Sequence, residues 1–526
     1  MHEINSEFQN ADFPSPADRE MLDLGFLRWR ESAHASDHKQ LFEVVETLTK
    51  DHTANKLLSA IFGNSPYLSQ ICISNPEFIL ELLEKGPTDA FEDTLKGIQG
   101  IDFKELKQAE VMSVLRLAKH KIALGIAVAD LGKIWPLEQI TLSLSRFAGA
   151  ALQAALTFAL HQAALKGSIE LKHPDNPTLD SGFIILGMGK LGAFELNYSS
   201  DIDIIVFFDP DKITCSDPDV LQKNCIRITR ELVKIIDQRT PQGYVFRTDL
   251  RLRPDPGATP IAVSLPAAEV YYESQGQNWE RAAMIKARAV AGDINAGNAF
   301  LKWLTPFVWR KNLDFAAIRD IHSIKRQINT HRGGTKIAAN NAVEGHNIKL
   351  GRGGIREIEF FAQTQQLIWG GRQPDLRTPS TVSALNTLVK QGHLKGSVAE
   401  DLIASYEFLR QSEHRLQMIN DEQTQTLPEH HTGVHKLGIF MGYDGRDSFA
   451  GKLLTHLRSV EDHYADLFEE APALSAQSAD GDIAGNLVFT GSDSDPDTLE
   501  TITKFGFQNA ETVDAAIRGW HHGRYR

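Results

Sequence analysis

The sequence predicts an α+β chain: a small mixed sheet carrying acidic residues, set between two mainly helical regions. Two observations lead there. Apolar residues recur at helical spacing before about residue 165 and again beyond about residue 300. Between them lie short apolar runs broken by glycine turns, with carboxylates at period two. In chain order, Leu57, Leu58, Ile61 and Phe62, then Leu115, Ile122 and Ile126, predict helices in a first segment, 1–165. The punctuation His173-Pro174-Asp175-Asn176-Pro177 introduces the strand-bearing segment, 166–300. Leu402, Tyr406, Leu409 and Leu416 mark an amphipathic helix in a second helical segment, 301–470. The Ala-, Ser-, Asp- and Gly-rich run 471–485 reads as a linker, and 471–526 as that linker plus the start of a further, truncated domain. No internal repeat is apparent.

A chain of 526 residues suggests about three or four domains. With 42% hydrophobic and 23% charged residues it is ordinarily globular, and a formal net charge of −13 argues against a general nucleic-acid surface. A nucleotide carried on a protein fits that charge better. Cys72, Cys215 and Cys225 form neither a disulfide framework nor a metal-ligand spacing, as expected of a reducing compartment. The start Met1-His-Glu-Ile-Asn is no signal peptide, and no uncharged apolar run reaches the roughly 20 residues of a membrane span. A cytoplasmic location is expected.

Chemistry concentrates in Gly187-Met-Gly189-Lys190-Leu-Gly192, followed by Ser199-Ser200-Asp201-Ile-Asp203-Ile-Ile-Val-Phe-Phe208. Strand alternation points Asp201 and Asp203 one way and Ile202 and Ile204 the other. Paired carboxylates on a rigid strand suit Mg²⁺, which takes one or two such groups together with substrate phosphates. A preceding strand, Phe183–Leu186, leads into Gly187 and Gly189, where missing side chains let backbone amides approach a phosphate, and Lys190 and Ser200 add donors. This is the layout of a metal-dependent nucleotidyl-transfer site. The same glycines also satisfy G-x-G-x-x-G, with Asp209 near the position of a ribose contact. Only Ala193 to Ser200 separate Gly192 from Asp201, too few for a parallel crossover. The plainest alternative leaves both aspartates starting a solvent-facing strand.

A third carboxylate is expected from Gly243–Pro254. Alternation there places Arg247, Asp249, Arg251 and Arg253 on one face: a metal ligand among guanidiniums able to fork onto phosphate. A solvated edge strand is the alternative. Gly351-Arg352-Gly-Gly354-Ile-Arg356-Glu357 reads as the opening of a helix, either an anion site or a simple glycine turn. His430-His431-Thr-Gly-Val-His435 lacks cysteine partners at finger spacing and reads as structural or solvated.

These motifs, with Asn278-Trp279-Glu280-Arg281-Ala-Ala-Met-Ile-Lys286-Ala-Arg288, Lys349 to Phe360 and the closing Ile517 to Arg526, make the chain resemble the N-terminal, adenylyl-removing part of the bifunctional glutamine synthetase adenylyltransferase/adenylyl-removing enzymes. The resemblance covers nearly the whole chain. It implies a polymerase-β-like nucleotidyltransferase domain, glutamine synthetase as protein substrate and the PII signal protein as regulator. That family has two tandem modules, one attaching AMP to a tyrosine of glutamine synthetase and one removing it by phosphorolysis. One constellation is present here, placed like the removing module, and the other would lie beyond Arg526. In that role Asp201, Asp203 and Asp249 would hold Mg²⁺, Gly187, Gly189 and Ser200 would cradle the AMP phosphate, and Arg251 or Arg253 would place inorganic phosphate. Two alternatives stay open: an ATP-dependent adenylyltransferase, and a PII-responsive regulatory binding module.

Overall fold

The structure, a computed structural model, describes residues 4–35, 39–215, 218–311, 342–469, 496–504 and 506–521. The chain divides into two compact units, Met1–Arg310 with Ile337–His463, and Lys311–Lys336 with Tyr464–Arg526. In the second unit the described residues include helices Pro496–Lys504 and Ala510–His521, which pack against one another. The expected linker 471–485 and the last five residues of the closing motif lie outside the described residues.

The first unit is built on a five-stranded mixed sheet. Its strands are β1 (Phe183–Gly187), β2 (Ile202–Phe208), β3 (Thr248–Asp249), β4 (Ala262–Ser264) and β5 (Arg288–Gly292). The order is β3-β2-β1-β5, with β4 also on β2. β1 runs antiparallel to β2 and to β5, while β2 runs parallel to both β3 and β4. Antiparallel pairing of β1 with β2 disposes of the dinucleotide reading, which requires a parallel crossover between them.

All of β1 is buried because both faces of the sheet are covered. Phe183, Ile185, Ile204 and Val206 share one core with helices Gln108–Leu131, Leu137–Leu165 and Leu221–Asp237. On the other face Phe207 meets Phe300 of helix Ile294–Trp303 at 5.0 Å between ring centroids. Helix Leu137–Leu165 contributes Ala148, Ala151, Ala154, Ala155 and Ala159 to the core; such small side chains permit close approach of neighbouring elements. The N-terminal helices therefore complete the sheet's core. Leu57, Leu58, Ile61, Phe62, Leu115, Ile122 and Ile126 are all buried as the helical spacing predicts. Asp51 starts the helix His52–Phe62 by accepting from the Thr53 and Ala54 amides.

Helix Gly396–Asn420 departs from the amphipathic expectation. Leu402, Tyr406, Leu409 and Leu416 are buried, but so are Arg410, Ser412, Glu413, His414, Arg415 and Gln417. Its polar side is interior, and each charge there has a counterpart: Asp130, for example, meets Arg415 at 2.9 Å and His414 at 3.1 Å. The Gly351–Gly354 run does open a helix, Ile355–Trp369, with Gly354 as its N-cap.

Candidate active site

Asp203 lies on β2 and Asp249 on β3, and the parallel register pairs them directly, while Asp201 immediately precedes β2. The Ile202 amide donates to the Arg247 carbonyl at 2.9 Å, fixing where β3 joins. The glycine turn is tied to the same strand, since the Met188 amide donates to the Asp203 carbonyl at 2.9 Å. Gly189 then opens a four-residue helix, Gly189–Gly192, at φ +50°, and a Cβ there would stand 3.6 Å from Asp203 Oδ2. Gly189 thus faces the carboxylates. Gly187 and Gly192 serve packing: a Cβ on Gly192 would fall 1.7 Å from the Lys286 carbonyl oxygen, and one on Gly187 would strike Val290 and Leu191.

Burial, followed by the neighbouring charges of Asp249 and Asp201, pushes the Asp203 carboxyl up to about 6, against partial relief from Lys349 and Arg251. Three carboxylates with oxygen donors only, one of them destabilised as an anion, form a donor set suited to a hard divalent cation. Among the described residues no three such side chains converge closely enough to hold an ion as they stand. Arginine explains part of this. Arg247 Nε donates to Asp201 Oδ1 at 2.6 Å, and Arg251 Nη2 to Asp249 Oδ2 at 2.6 Å. The hydrogen bond from Arg251 accordingly lowers the Asp249 carboxyl.

The expected alternation from Arg247 to Arg253 stops at Asp249. The Arg251 amide folds back onto Asp249 Oδ1 at 2.8 Å, and this side-chain-to-backbone bond turns the chain out of the strand. Arg251 is left exposed beside the carboxylates. Arg253 instead donates to the carbonyls of Leu250, Pro256, Thr259 and Pro260, stapling the following loop. Lys190 is buried against Glu413 at 3.2 Å; burial brings its ammonium down to about 8. Ser200 is half-buried beside Asp201.

The segment from the glycine turn to Asp201 is gripped by flanking helices. Leu196 N donates to Ser145 Oγ at 3.2 Å, the Tyr198 hydroxyl to the Ala123 carbonyl, and Ser199 N to Gln417 Oε1 at 2.8 Å. Arg410 donates to the Glu195 carbonyl at 2.6 Å. The Glu195 carboxylate takes Lys286 Nζ at 2.7 Å and the Thr381 amide at 2.6 Å. A second chain of contacts positions Arg247: its guanidinium donates to the Tyr244 hydroxyl and the Ser199 carbonyl, Tyr244 donates to Asp421 at 3.1 Å, and Lys119 closes on Asp421 at 2.7 Å. Sequence reasoning quoted the segments holding Lys286 and Glu359 without giving those residues a role. The available signal was a row of charges on an otherwise core-facing helix, Arg410 to Arg415.

At the Gly351–Glu357 motif the groups have structural partners, whereas His430 and His431 are exposed. The Gly353 amide is capped by Glu357 at 2.9 Å, Arg352 pairs with Glu461 at 3.3 Å, and a Cβ on Gly353 would meet the Leu457 carbonyl at 2.0 Å. His430 precedes and His431 opens the helix His431–Phe440.

Comparison with known proteins agrees with this architecture. Residues 55–303 match the family described as glutamate-ammonia ligase adenylyltransferase, and 322–468 match GlnD PII-uridylyltransferase. The bifunctional glutamine synthetase adenylyltransferase/adenylyl-removing enzyme of Rhizobium meliloti is 48% identical over 503 residues, covering 94% of this chain. The chain belongs to that family. The enzymes of the same description from Agrobacterium fabrum and Mesorhizobium japonicum are 48% and 47% identical over 92% and 96% of the chain. The alignments take in 49%, 48% and 50% of these three relatives, so the chain spans about half the length of the curated relatives it matches. It is a nucleotidyltransferase-family chain with an α+β fold. No helix among the described residues is long and apolar enough to cross a membrane, and no disulfide joins the described cysteines.

Proposed function

We propose that this chain removes AMP from an adenylylated tyrosine of glutamine synthetase by phosphorolysis, in a catalytic segment spanning 166–300. The observation that carries the reading is the in-register pairing of Asp203 with Asp249, with Asp201 one residue before the strand. Those three carboxylates would hold Mg²⁺, which when bound supplies charge neutralisation at the phosphates. Arg247 orients Asp201, and Gly189 leaves room at Asp203 for the AMP phosphate, beside Ser200, while Gly187, expected in the same cradle, is packed against Val290 and Leu191 instead. Arg251, exposed at the rim, is better placed than Arg253 to receive inorganic phosphate. An oxygen of that phosphate attacks the AMP phosphorus, the bond to the tyrosine oxygen breaks, and the phenolate takes up a proton, giving ADP and free tyrosine. With a phenol pKa of about 10 this is a tolerable leaving group, and no covalent enzyme intermediate is needed.

The relatives' bifunctional name fits ATP-dependent adenylylation as well, and the match of 322–468 to a PII-uridylyltransferase supports PII as the regulatory partner. The deciding experiment incubates the chain with adenylylated glutamine synthetase, phosphate and Mg²⁺, and assays ADP. The proposal expects ADP from the native chain and none from Asp201→Asn with an unchanged fold. Absence of ADP, even with uridylylated PII, together with label transfer from ATP, would replace removal by adenylylation.

A further inference from the structure

A cavity of about 660 Å³ lies away from the three carboxylates, bordered by helix Leu137–Leu165, the loop around Phe103 and the start of β5. It reaches the C-terminal end of the short helix whose first residue faces Asp203. Arg288 marks that spot: its Nε donates to the Gly192 carbonyl at 3.1 Å and its Nη2 to the Leu191 carbonyl at 3.0 Å. The guanidinium lies 3.6 Å from the centre of the Phe194 ring. Phe194 takes φ +59°, a left-handed backbone that a bulky side chain rarely adopts, and lines the cavity together with Arg288.

Two charges lining the cavity lack an ion-pair partner among the described residues: Arg288, and Asp102, which accepts from the Lys104 amide at 3.0 Å. Arg146 is answered by Glu92 at 2.6 and 3.0 Å, and Lys104 by Asp175 at 2.8 Å. Among the described residues no carboxylate pairs with Arg288, whose partners are the Gly192 and Leu191 carbonyls and the Phe194 ring, and burial alone brings its guanidinium down to about 10. A half-buried cation left with two carbonyls and a ring face is stabilised by an incoming anion, which it can bind through charge-assisted hydrogen bonds. The space exceeds a bare oxyanion and suits an organic molecule.

We propose that this cavity is a second ligand site, distinct from the carboxylate cluster, which takes a small organic anion through Arg288. The anionic group is a carboxylate or a phosphate, and the proposal does not depend on the direction of adenylyl chemistry. Calorimetric titration of the full chain without divalent metal, using succinate for the carboxylate and glycerol 3-phosphate for the phosphate, tests it and separates the two sources. At least one probe should bind at millimolar concentration with unit stoichiometry. Arg288→Gln should weaken binding about tenfold or more. Ala150→Trp, which fills the cavity and leaves Arg288 in place, should abolish it, and Asp203→Asn should leave it unchanged. Either cavity variant decides the matter by itself if the other fails to fold. Failure of both probes, binding that survives Ala150→Trp, or binding lost in Asp203→Asn would overturn the proposal.

Discussion

Removing the Glu359 carboxylate should loosen the grip of the flanking helices on the sheet. Lys286 Nζ, buried, lies 2.7 Å from Glu195, 3.2 Å from Glu359 and 3.2 Å from Thr381 Oγ1. Burial works to raise the Glu359 carboxyl, yet Lys286, then Lys190 and Arg410, bring it down to about 2 from 4.5. That gap corresponds to about 3 kcal/mol favouring the folded state at neutral pH. It agrees with the roughly 3–5 kcal/mol lost when one partner of a buried ion pair is removed. Glu359→Gln should therefore cost about 3 kcal/mol, and Lys286→Met at least as much because two carboxylates are then left buried. The double variant should lose about 2 kcal/mol less than the sum, because the shared interaction is removed only once. Since the folded carboxyl is depressed, the contribution is complete above about 4.5 and fades as pH falls toward about 2. The gap between native and Glu359→Gln should close over that range. Urea unfolding of the four proteins, followed by circular dichroism, measures the cycle. Additivity within about 0.5 kcal/mol, or a gap independent of pH, would refute the reasoning.

Asp203 carries the opposite sign: its carboxyl is raised in the folded state, so stability declines as pH rises from 3.8 toward about 6. Asp203→Asn should stabilise the metal-free chain by about 1–2 kcal/mol at neutral pH while abolishing turnover, as a thermal melt paired with the ADP assay would register. Because a ligand carboxyl must lose its proton, Mn²⁺ affinity read by electron spin resonance should fall about tenfold per pH step below 6. Gly192→Ala should cost more than about 4 kcal/mol, since its Cβ would fall 1.7 Å from a backbone oxygen. Gly189→Ala, with open space at 3.6 Å and only an unfavourable φ, should cost about 1 kcal/mol; equal losses would contradict the packing argument. Arg251→Ala should raise the KM for phosphate without weakening Mn²⁺ binding, and a change confined to metal affinity would remove Arg251 from the phosphate role.

Much of the fold and part of the candidate site were legible because they rest on local rules. Period two sends Ile202 and Ile204 into the core and leaves Asp201 and Asp203 less buried, and helical spacing buries Leu57 to Phe62 and Leu115 to Ile126. The arginine strand was misread in extent because a side-chain bond from Asp249 to the Arg251 amide ends it, a competition that alternation does not register. Helix Gly396–Asn420 was underread for a related reason. Leu402, Tyr406, Leu409 and Leu416 announce one buried face, whereas Arg410, Glu413 and Gln417 look solvated until partners distant in sequence bury them too.

By itself the sequence determined the elements, the acidic strand and its glycine turn, since each depends on residues close along the chain. Tertiary structure alone decided that β3 pairs in parallel with β2 and so brings Asp249 to Asp203. It also decided which charges meet. Lys286 finds Glu195 and Glu359, Lys190 finds Glu413, and Arg288 is left facing a cavity. A charge in a sequence carries no record of its counter-ion, because the partner is chosen by packing of segments 73 to 223 residues apart, and burial then makes the choice count energetically.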